Sequence, residues 1–275
     1  MFTLNCKGKL LVVDKPLVMG IINATPDSFY TGSRFSGTDN ILLQAEKMLN
    51  EGADILDIGG QSTRPGSVLI TVEEELKRVL PGVKAIIKEF PESILSIDSF
   101  YAEVVKEAVC AGASIVNDIS AGSMDNKMIE TVASLSVPYI LMHRKGTPQN
   151  MKEHAVYENV TSEVLDFLIA KSNELKQAGI QDIIIDPGFG FGKTIEHNFM
   201  LLKNLSVFKM IDKPILLGIS RKSMIYKTLG ITAEDALHGT SVLNTIGLMN
   251  GASILRVHDV KEAKETVELF IAMSK

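Results

Sequence analysis

Asp98, Asn117 and Asp186 each close a short apolar run, in Leu95-Ser96-Ile97-Asp98, Ile115-Val116-Asn117 and Ile183-Ile184-Ile185-Asp186. A carboxylate carried to the end of such a run can accept two parallel N–H bonds from an amidine-like or guanidine-like edge. An Asn beside it offers both a donor and an acceptor. The set suits a planar nitrogen heterocycle with an N–H/NH2 edge. The plainer role for any one of them is helix N-capping, which Asp and Asn perform well. A second set is cationic. Arg256 and His258 stand two residues apart after another apolar run, so they face one side. With Arg64 they suit a polyanion such as pyrophosphate. A lone His is more often a satisfied core residue. His143, His154, His197 and His238 lack metal-ligand spacing.

Two further segments carry chemistry. Ser220-Arg221-Lys222-Ser223 offers a lysine charge and, from Ser223 on, backbone N–H groups opening a helix, which favour an anion. The alternative is a solvated basic turn. Asp186-Pro187-Gly188-Phe189-Gly190-Phe191-Gly192-Lys193-Thr194 has neither Walker nor dinucleotide spacing. It is either a tight turn whose glycines supply positive φ or a place where backbone approaches a flat ligand beside a Phe.

The elements that must position these residues are eight apolar runs, ending at Asn23, Asp57, Asp98, Asn117, His143, Asp186, Ser220 and Arg256. Strands are expected over Val18–Asn23, Ile55–Ile58, Ile94–Asp98, Ile115–Asn117, Tyr139–Met142, Ile183–Asp186, Ile215–Gly218 and Ile254–Val257. Continuous apolar runs of this length read as strands buried on both faces. Three of them follow Gly-Ala, at Gly52, Gly112 and Gly251, where a glycine can end a helix in a left-handed conformation. Striped apolar segments follow, as in Ile41, Leu42, Ala45, Met48 and Leu49, or Val260, Ala263, Val267 and Phe270. Alternation of this kind predicts a (β/α)8 barrel, whose chemistry lies at the C-terminal strand ends. Pro81-Gly82 predicts a kink or break in the helix over Val72–Lys88. Residues 1–16 read as a β-hairpin, turning at Gly8, that covers the barrel floor.

Size and composition agree. The 275 residues are near the roughly 250 of such a barrel, so residues 1–275 are expected to form one domain. A net charge of −5 gives no support for a nucleic-acid surface. Two cysteines without CxxC spacing argue against a disulfide framework or a thiolate zinc site. No apolar stretch approaches the ~18 residues of a membrane span, and no signal peptide is evident, so a cytoplasmic protein is expected. The absence of Trp weakens a glycosidase reading.

The motifs, in order, closely resemble the dihydropteroate synthase family of pterin-binding barrels. The resemblance runs nearly end to end. It rests on Met19-Gly20-Ile21-Ile22-Asn23-Ala24-Thr25-Pro26-Asp27-Ser28-Phe29, Gly59-Gly60-Gln61-Ser62-Thr63-Arg64-Pro65-Gly66 and Ser96-Ile97-Asp98-Ser99. It continues in Asn117-Asp118-Ile119, Leu141-Met142-His143, the Asp186–Lys193 segment, Ser220-Arg221-Lys222-Ser223 and Arg256-Val257-His258-Asp259-Val260. It implies a homodimeric enzyme using Mg2+, in which 4-aminobenzoate displaces pyrophosphate from 6-hydroxymethyl-7,8-dihydropterin diphosphate to give 7,8-dihydropteroate. It further implies that Asp98, Asn117 and Asp186 hold the pterin edge, with Lys222 reaching its carbonyl or ring nitrogen. Met142, Ile119 and the Arg256 plane would pack on its faces. Asn23 would meet Mg2+ or the diphosphate, with Arg64, Arg256 and His258 neutralising it. Thr63, Pro65, Phe191, Arg221, Lys222 and Ser223 would form the aminobenzoate pocket. Asp98, Lys222 and Arg256 would be the catalytic groups, Asp98 stabilising a cation left when pyrophosphate departs.

Two positions depart from the family pattern. Thr31 lacks a loop carboxylate that is common there, and Gln61 stands where Glu is common. A pterin-binding methyltransferase would not need the Ser220–Ser223 pocket or the Thr63-Arg64-Pro65 loop. A binding protein without catalysis is the other alternative.

Overall fold

The computed structural model describes residues 1–25, 37–61, 67–147, 150–151 and 153–274. Strands β1 (Phe2–Cys6) and β2 (Lys9–Val13) form the expected antiparallel hairpin, with Gly8 at φ 88° in its turn. Alternate residues Leu4, Cys6, Leu11 and Val13 are buried against Met19, Ile55, Ile115, Ile140, Ile184, Leu216 and Ile254, an inner bottom layer supplied by seven of the next eight strands. Asn5 N donates to Asp182 Oδ2 at 2.7 Å and Lys7 Nζ to Val109 O at 2.6 Å, which latch the hairpin over the floor.

The barrel strands are β3 (Leu17–Asn23), β4 (Ile55–Gly59), β5 (Leu95–Asp98), β6 (Ile115–Asp118), β7 (Tyr139–Met142), β8 (Ile183–Asp186), β9 (Leu216–Leu217) and β10 (Ile254–Val257). They run parallel in the order β8-β7-β6-β5-β4-β3-β10-β9, and an Ile185–Ile215 bridge brings the two ends together. Helices cover the outside: α1 (Gly37–Asn50), α2 (Val72–Glu89), α3 (Ala102–Cys110), α4 (Met128–Leu135), α5 (Val160–Gln177), α6 (Ile195–Lys203), α7 (Ser223–Leu229), α8 (Leu237–Met249) and α9 (Val260–Met273). Most strand residues are therefore buried on both faces, which is why the runs are apolar throughout. Gly52, Gly112 and Gly251 have φ of 94°, 124° and 101°, as their shared position before a strand predicts.

Two local expectations are corrected. α2 continues unbroken through Pro81. Gly82 lets Ile41 of α1 and Ile58 of β4 approach so closely that an added Cβ would lie 2.9 and 3.0 Å from them. Tertiary packing outweighs the one hydrogen bond that a proline removes. Regular pairing in the seventh barrel strand is limited to Leu216–Leu217, because the chain turns away after Gly218 towards Arg221, whose φ is 53°.

Helix capping is done by other residues. Thr71, Asn159 and Thr194 side chains accept the first-turn amides of α2, α5 and α6, while Tyr101 and Lys127 precede α3 and α4. Asp98, Asn117 and Asp186 are thus not caps.

Glu75 on α2 is fully buried behind β5. Its Oε2 accepts from Ser99 Oγ at 3.1 Å, and its Oε1 has no partner among the described residues. Burial raises its pKa to about 8, with the Ser99 bond opposing. The folded chain keeps this proton above the unfolded value of 4.5, so it binds more protons than the unfolded chain between there and about pH 8. Stability then falls as pH rises through that window. We expect Glu75→Gln to flatten this fall. Thermal melts of both proteins from pH 5 to pH 8 check it; parallel curves would remove Glu75 as the source.

Candidate functional site

The strand ends converge on one cleft. It is lined by Asp98, Asn117, Met142, Asp186 and Arg256 at strand ends, by Ile119, Phe191 and Lys222 from the turns beyond, and by Gly218. All but Gly218 are residues singled out from the sequence. Ile119 and Met142 are buried and form an apolar cluster with Phe100, against which Phe191 packs. One wall of the cleft is therefore flat and apolar, and the base is polar.

Arg256 organises the base. Its Nε donates to Asp57 Oδ2 and its Nη2 to Asp98 Oδ2, both at 2.6 Å. Asn117 Nδ2 donates to the same Asp57 oxygen at 3.0 Å. Asp57 is fully buried, so its charge serves the two groups beside it and no ligand. An acceptor-only carboxylate also fixes which end of the Asn117 amide faces the cleft. The neighbouring Asp118 is committed as well, accepting from Ser120 N, Gly122 N and Tyr139 Oη at 2.7 Å each. Burial pushes the Asp98 carboxyl upward, against the pull of Arg256.

The opposite side is built by the glycine turn. Gly188, Gly190 and Gly192 have φ of 73°, 84° and 64°, so the tight-turn reading holds. Of the two aromatics only Phe191 is placed where that second reading needs one: Phe189 is fully buried, while Phe191 lines the cleft. Asp186 Oδ1 accepts from Gly188 N at 2.7 Å, which leaves Oδ2 towards the cleft. Burial raises the Asp186 pKa, with Lys222 and the Gly188 amide opposing. Lys222 Nζ donates to Phe189 O and lies 4.8 Å from the Phe191 ring centroid. Burial lowers its pKa to about 8, with Asp186 pulling upward. Lys222 is accordingly part of the cleft base, and the solvated-turn alternative fails for it.

The remaining candidates are placed as follows. Asn23 ends β3 with an exposed side chain. His258 is exposed, its Nδ1 is 3.0 Å from Ser220 Oγ, and its amide donates to the same oxygen at 3.2 Å. Ser223 opens α7, half-buried. Arg221 does not line the cleft. Its fork closes on Asp259, Nε to Oδ2 and Nη2 to Oδ1 at 2.8 Å each, and Nη1 donates to the carbonyls of Ala233 and Glu234. With four of its five N–H donors taken, Arg221 braces the turn on which Lys222 sits. Thr31, Thr63, Arg64 and Pro65 lie outside the described residues. Gln61 is described: its amide donates to Val68 O at 3.2 Å and accepts from Ile70 N at 3.1 Å. A carboxylate at this position could only accept, so the departure to Gln suits this loop.

The sequence reading missed the weight of Asp57, although it stands in the ring of strand ends. It also missed Lys193, whose nitrogen sits under the glycine turn at 2.8 Å from Gly188 O and 3.0 Å from His143 Nδ1.

A parallel eight-stranded barrel with this cleft is an enzyme scaffold for a flat, nitrogen-rich ligand with an anionic substituent. The pterin binding enzyme family matches residues 19–258. The chain is 42% identical to dihydropteroate synthase of Haemophilus influenzae over 271 residues, 98% of each protein. It superposes on Xanthomonas albilineans dihydropteroate synthase with 4-aminobenzoic acid at a TM-score of 0.93, with 37% identity and 99% and 98% of the two chains covered. The structure of the Xanthomonas enzyme in complex with 7,8-dihydropteroate gives 0.91, with 35% identity and 99% of each chain covered. The chain belongs to the dihydropteroate synthase family.

Replacing Asp57 by Asn keeps the shape and removes the shared charge. We expect Asp57→Asn to lower unfolding free energy by about 1.5–3 kcal/mol, the scale of a hydrogen bond to a charged group. Urea denaturation checks it: the midpoint should fall with an unchanged slope, and an unmoved midpoint would remove Asp57 as the anchor.

Proposed function

We propose that this cleft joins 6-hydroxymethyl-7,8-dihydropterin diphosphate to 4-aminobenzoate, releasing pyrophosphate and forming 7,8-dihydropteroate, a step of folate biosynthesis. The observation that carries the reading is the pairing of Asp186 and Asn117 with Lys222 across one narrow cleft. The two acceptors suit the N–H/NH2 edge of a pterin, and the ammonium suits its carbonyl or ring nitrogen. The apolar Ile119 and Met142 suit its face, as does the planar fork of Arg256.

The reaction then needs no protein nucleophile. The carbon–oxygen bond from the pterin methylene to the diphosphate breaks, and the pterin ring shares the positive charge left on that carbon. Asp98, the carboxylate paired with Arg256 that lines the cleft, stabilises that charge electrostatically. The amine of 4-aminobenzoate attacks the same carbon and gives up a proton to solvent. Arg256 and His258 receive the diphosphate side, with Ser220 able to donate to Nδ1 and leave Nε2–H outward. Phe191, Lys222 and Ser223 border the space for aminobenzoate, and Arg221 holds them there.

Mg2+ is part of the same proposal. Among the described residues no group of three or more His, Cys, Asp or Glu side chains could hold a metal ion. An exposed amide oxygen at Asn23 fits an ion held chiefly by diphosphate and water, as Mg2+ commonly is. When bound, the ion would neutralise the leaving group. A homodimer and a cytoplasmic setting complete the reading. Val242, Ile246 and Met249 form an exposed apolar strip on α8 that a second subunit would cover, and both cysteines are free thiols.

Two measurements test this. Pyrophosphate release from the pterin diphosphate should require 4-aminobenzoate and yield 7,8-dihydropteroate; no release with both substrates and Mg2+ present would leave a binding protein. Asp98→Asn should lower kcat about a hundredfold, the scale of one preorganised electrostatic group, with smaller changes in KM. A raised KM with kcat intact would make Asp98 a binding group.

A further inference from the structure

Lys193 is nine-tenths buried, and burial lowers its pKa to about 7, with Asp186 pulling upward. Burying the ammonium form is costly unless its donors are used. Here the three nearest acceptors take all three protons: Gly188 O at 2.8 Å, His143 Nδ1 at 3.0 Å and Phe191 O at 3.1 Å, with His143 O further off at 3.4 Å. His143 is itself buried, and burial lowers its pKa to about 2, with Lys193 next in effect. It is therefore a neutral imidazole that can accept at Nδ1. The lysine thus ties the end of β7 to both shoulders of the glycine turn after β8.

The turn is pressed on from below in two more places. An added Cβ on Gly188 would lie 1.8 Å from His143 O, so the backbone there has no slack. Gly190 N donates to Asn198 Oδ1 at 2.7 Å, and Asn198 Nδ2 donates to Thr194 O at 2.6 Å from a nearly fully buried position on α6. Other atoms of the same turn meet the cleft. Gly188 N orients Asp186, Phe189 O receives Lys222 Nζ, and the Phe191 ring flanks that nitrogen.

We infer that Lys193, with Asn198, is a positioning residue: from beneath the glycine turn it sets where Asp186 and Lys222 point, and so governs recognition of the pterin edge without touching the ligand. This rests on the pterin-binding reading above. It separates Lys193 from a residue that merely stabilises the fold, because the turn reaches the pterin edge and not the diphosphate side at Arg256 and His258.

The test uses the full chain and calorimetry with 6-hydroxymethyl-7,8-dihydropterin and with its diphosphate. Lys193→Met keeps the length and removes the three donors. It should weaken the phosphate-free pterin at least tenfold. The extra affinity gained by adding the diphosphate should stay within twofold of the wild-type gain. Asn198→Ala, on a different element, should show the same split in the event that Lys193→Met does not fold. A lower melting temperature with pterin affinity within twofold in a folded variant would overturn the inference. So would an equal loss in the diphosphate gain. Wild-type protein that fails to bind pterin at all would overturn the underlying reading as well.

Discussion

The geometry of the barrel mouth depends on one guanidinium. Arg256 projects from β10 between Asp57 of β4 and Asp98 of β5, and Asp57 extends the pairing to Asn117 of β6. Four strands, including the two sides of the β3 neighbour, are thereby locked in rotation about their own axes at the level of the cleft. Paired buried charges contribute little net stability compared with apolar packing, but removing one partner leaves the other exposed to a low-dielectric interior. The arrangement therefore acts mainly through orientation. With Asn117 Nδ2 spent on Asp57, its carbonyl oxygen is what the cleft receives.

The charges in the cleft are balanced by neighbours of opposite sign. Asp98 and Asp186 are each drawn towards the neutral form by burial and back towards the charged form by Arg256 and Lys222. Lys222 is drawn down by burial and held up by Asp186. Such groups respond strongly to a charge that forms beside them, because little water is left to screen it. On the proposed reaction, a cationic carbon next to Asp98 would be stabilised in this setting without rearrangement of the protein.

Much of this was legible in the sequence, and for a physical reason. A parallel strand enclosed by helices must be apolar until it reaches the mouth, so the first polar residue marks the cleft. That rule located Asp98, Asn117, Asp186 and Arg256. It could not tell a ligand-facing carboxylate from a supporting one, because Asp57 and Asp98 differ only in depth along neighbouring strands. Nor could it place Arg221. That fork closes on Asp259 because a φ of 53° turns the side chain towards the start of α9, and no local pattern announces a positive φ at an arginine. Of the kink or break predicted at Pro81, the break failed for a similar reason. Whether a helix survives a proline depends on what packs on it, and Ile41 and Ile58 pack directly on the glycine that follows. Lys193 was invisible as a support because its acceptors include backbone carbonyls, which every sequence has.

Specificity follows from the same unpaired capacity. A hydrophobic slot distinguishes flat ligands weakly, since one methylene changes binding by about 1–3 kcal/mol. A site whose buried polar groups await partners rejects ligands that lack them far more strongly. Asp186 keeps one oxygen for the cleft, Asn117 keeps its carbonyl, and Lys222 holds a single short contact to the turn. A planar ring without an N–H edge would cover all three and satisfy none. The Ile119 and Met142 wall would accept such a ring readily, so discrimination must come from the strand-end polar groups. On the proposed function, selectivity would then rest on the register between strands and on the turn that carries Lys222, more than on the fit of an apolar wall.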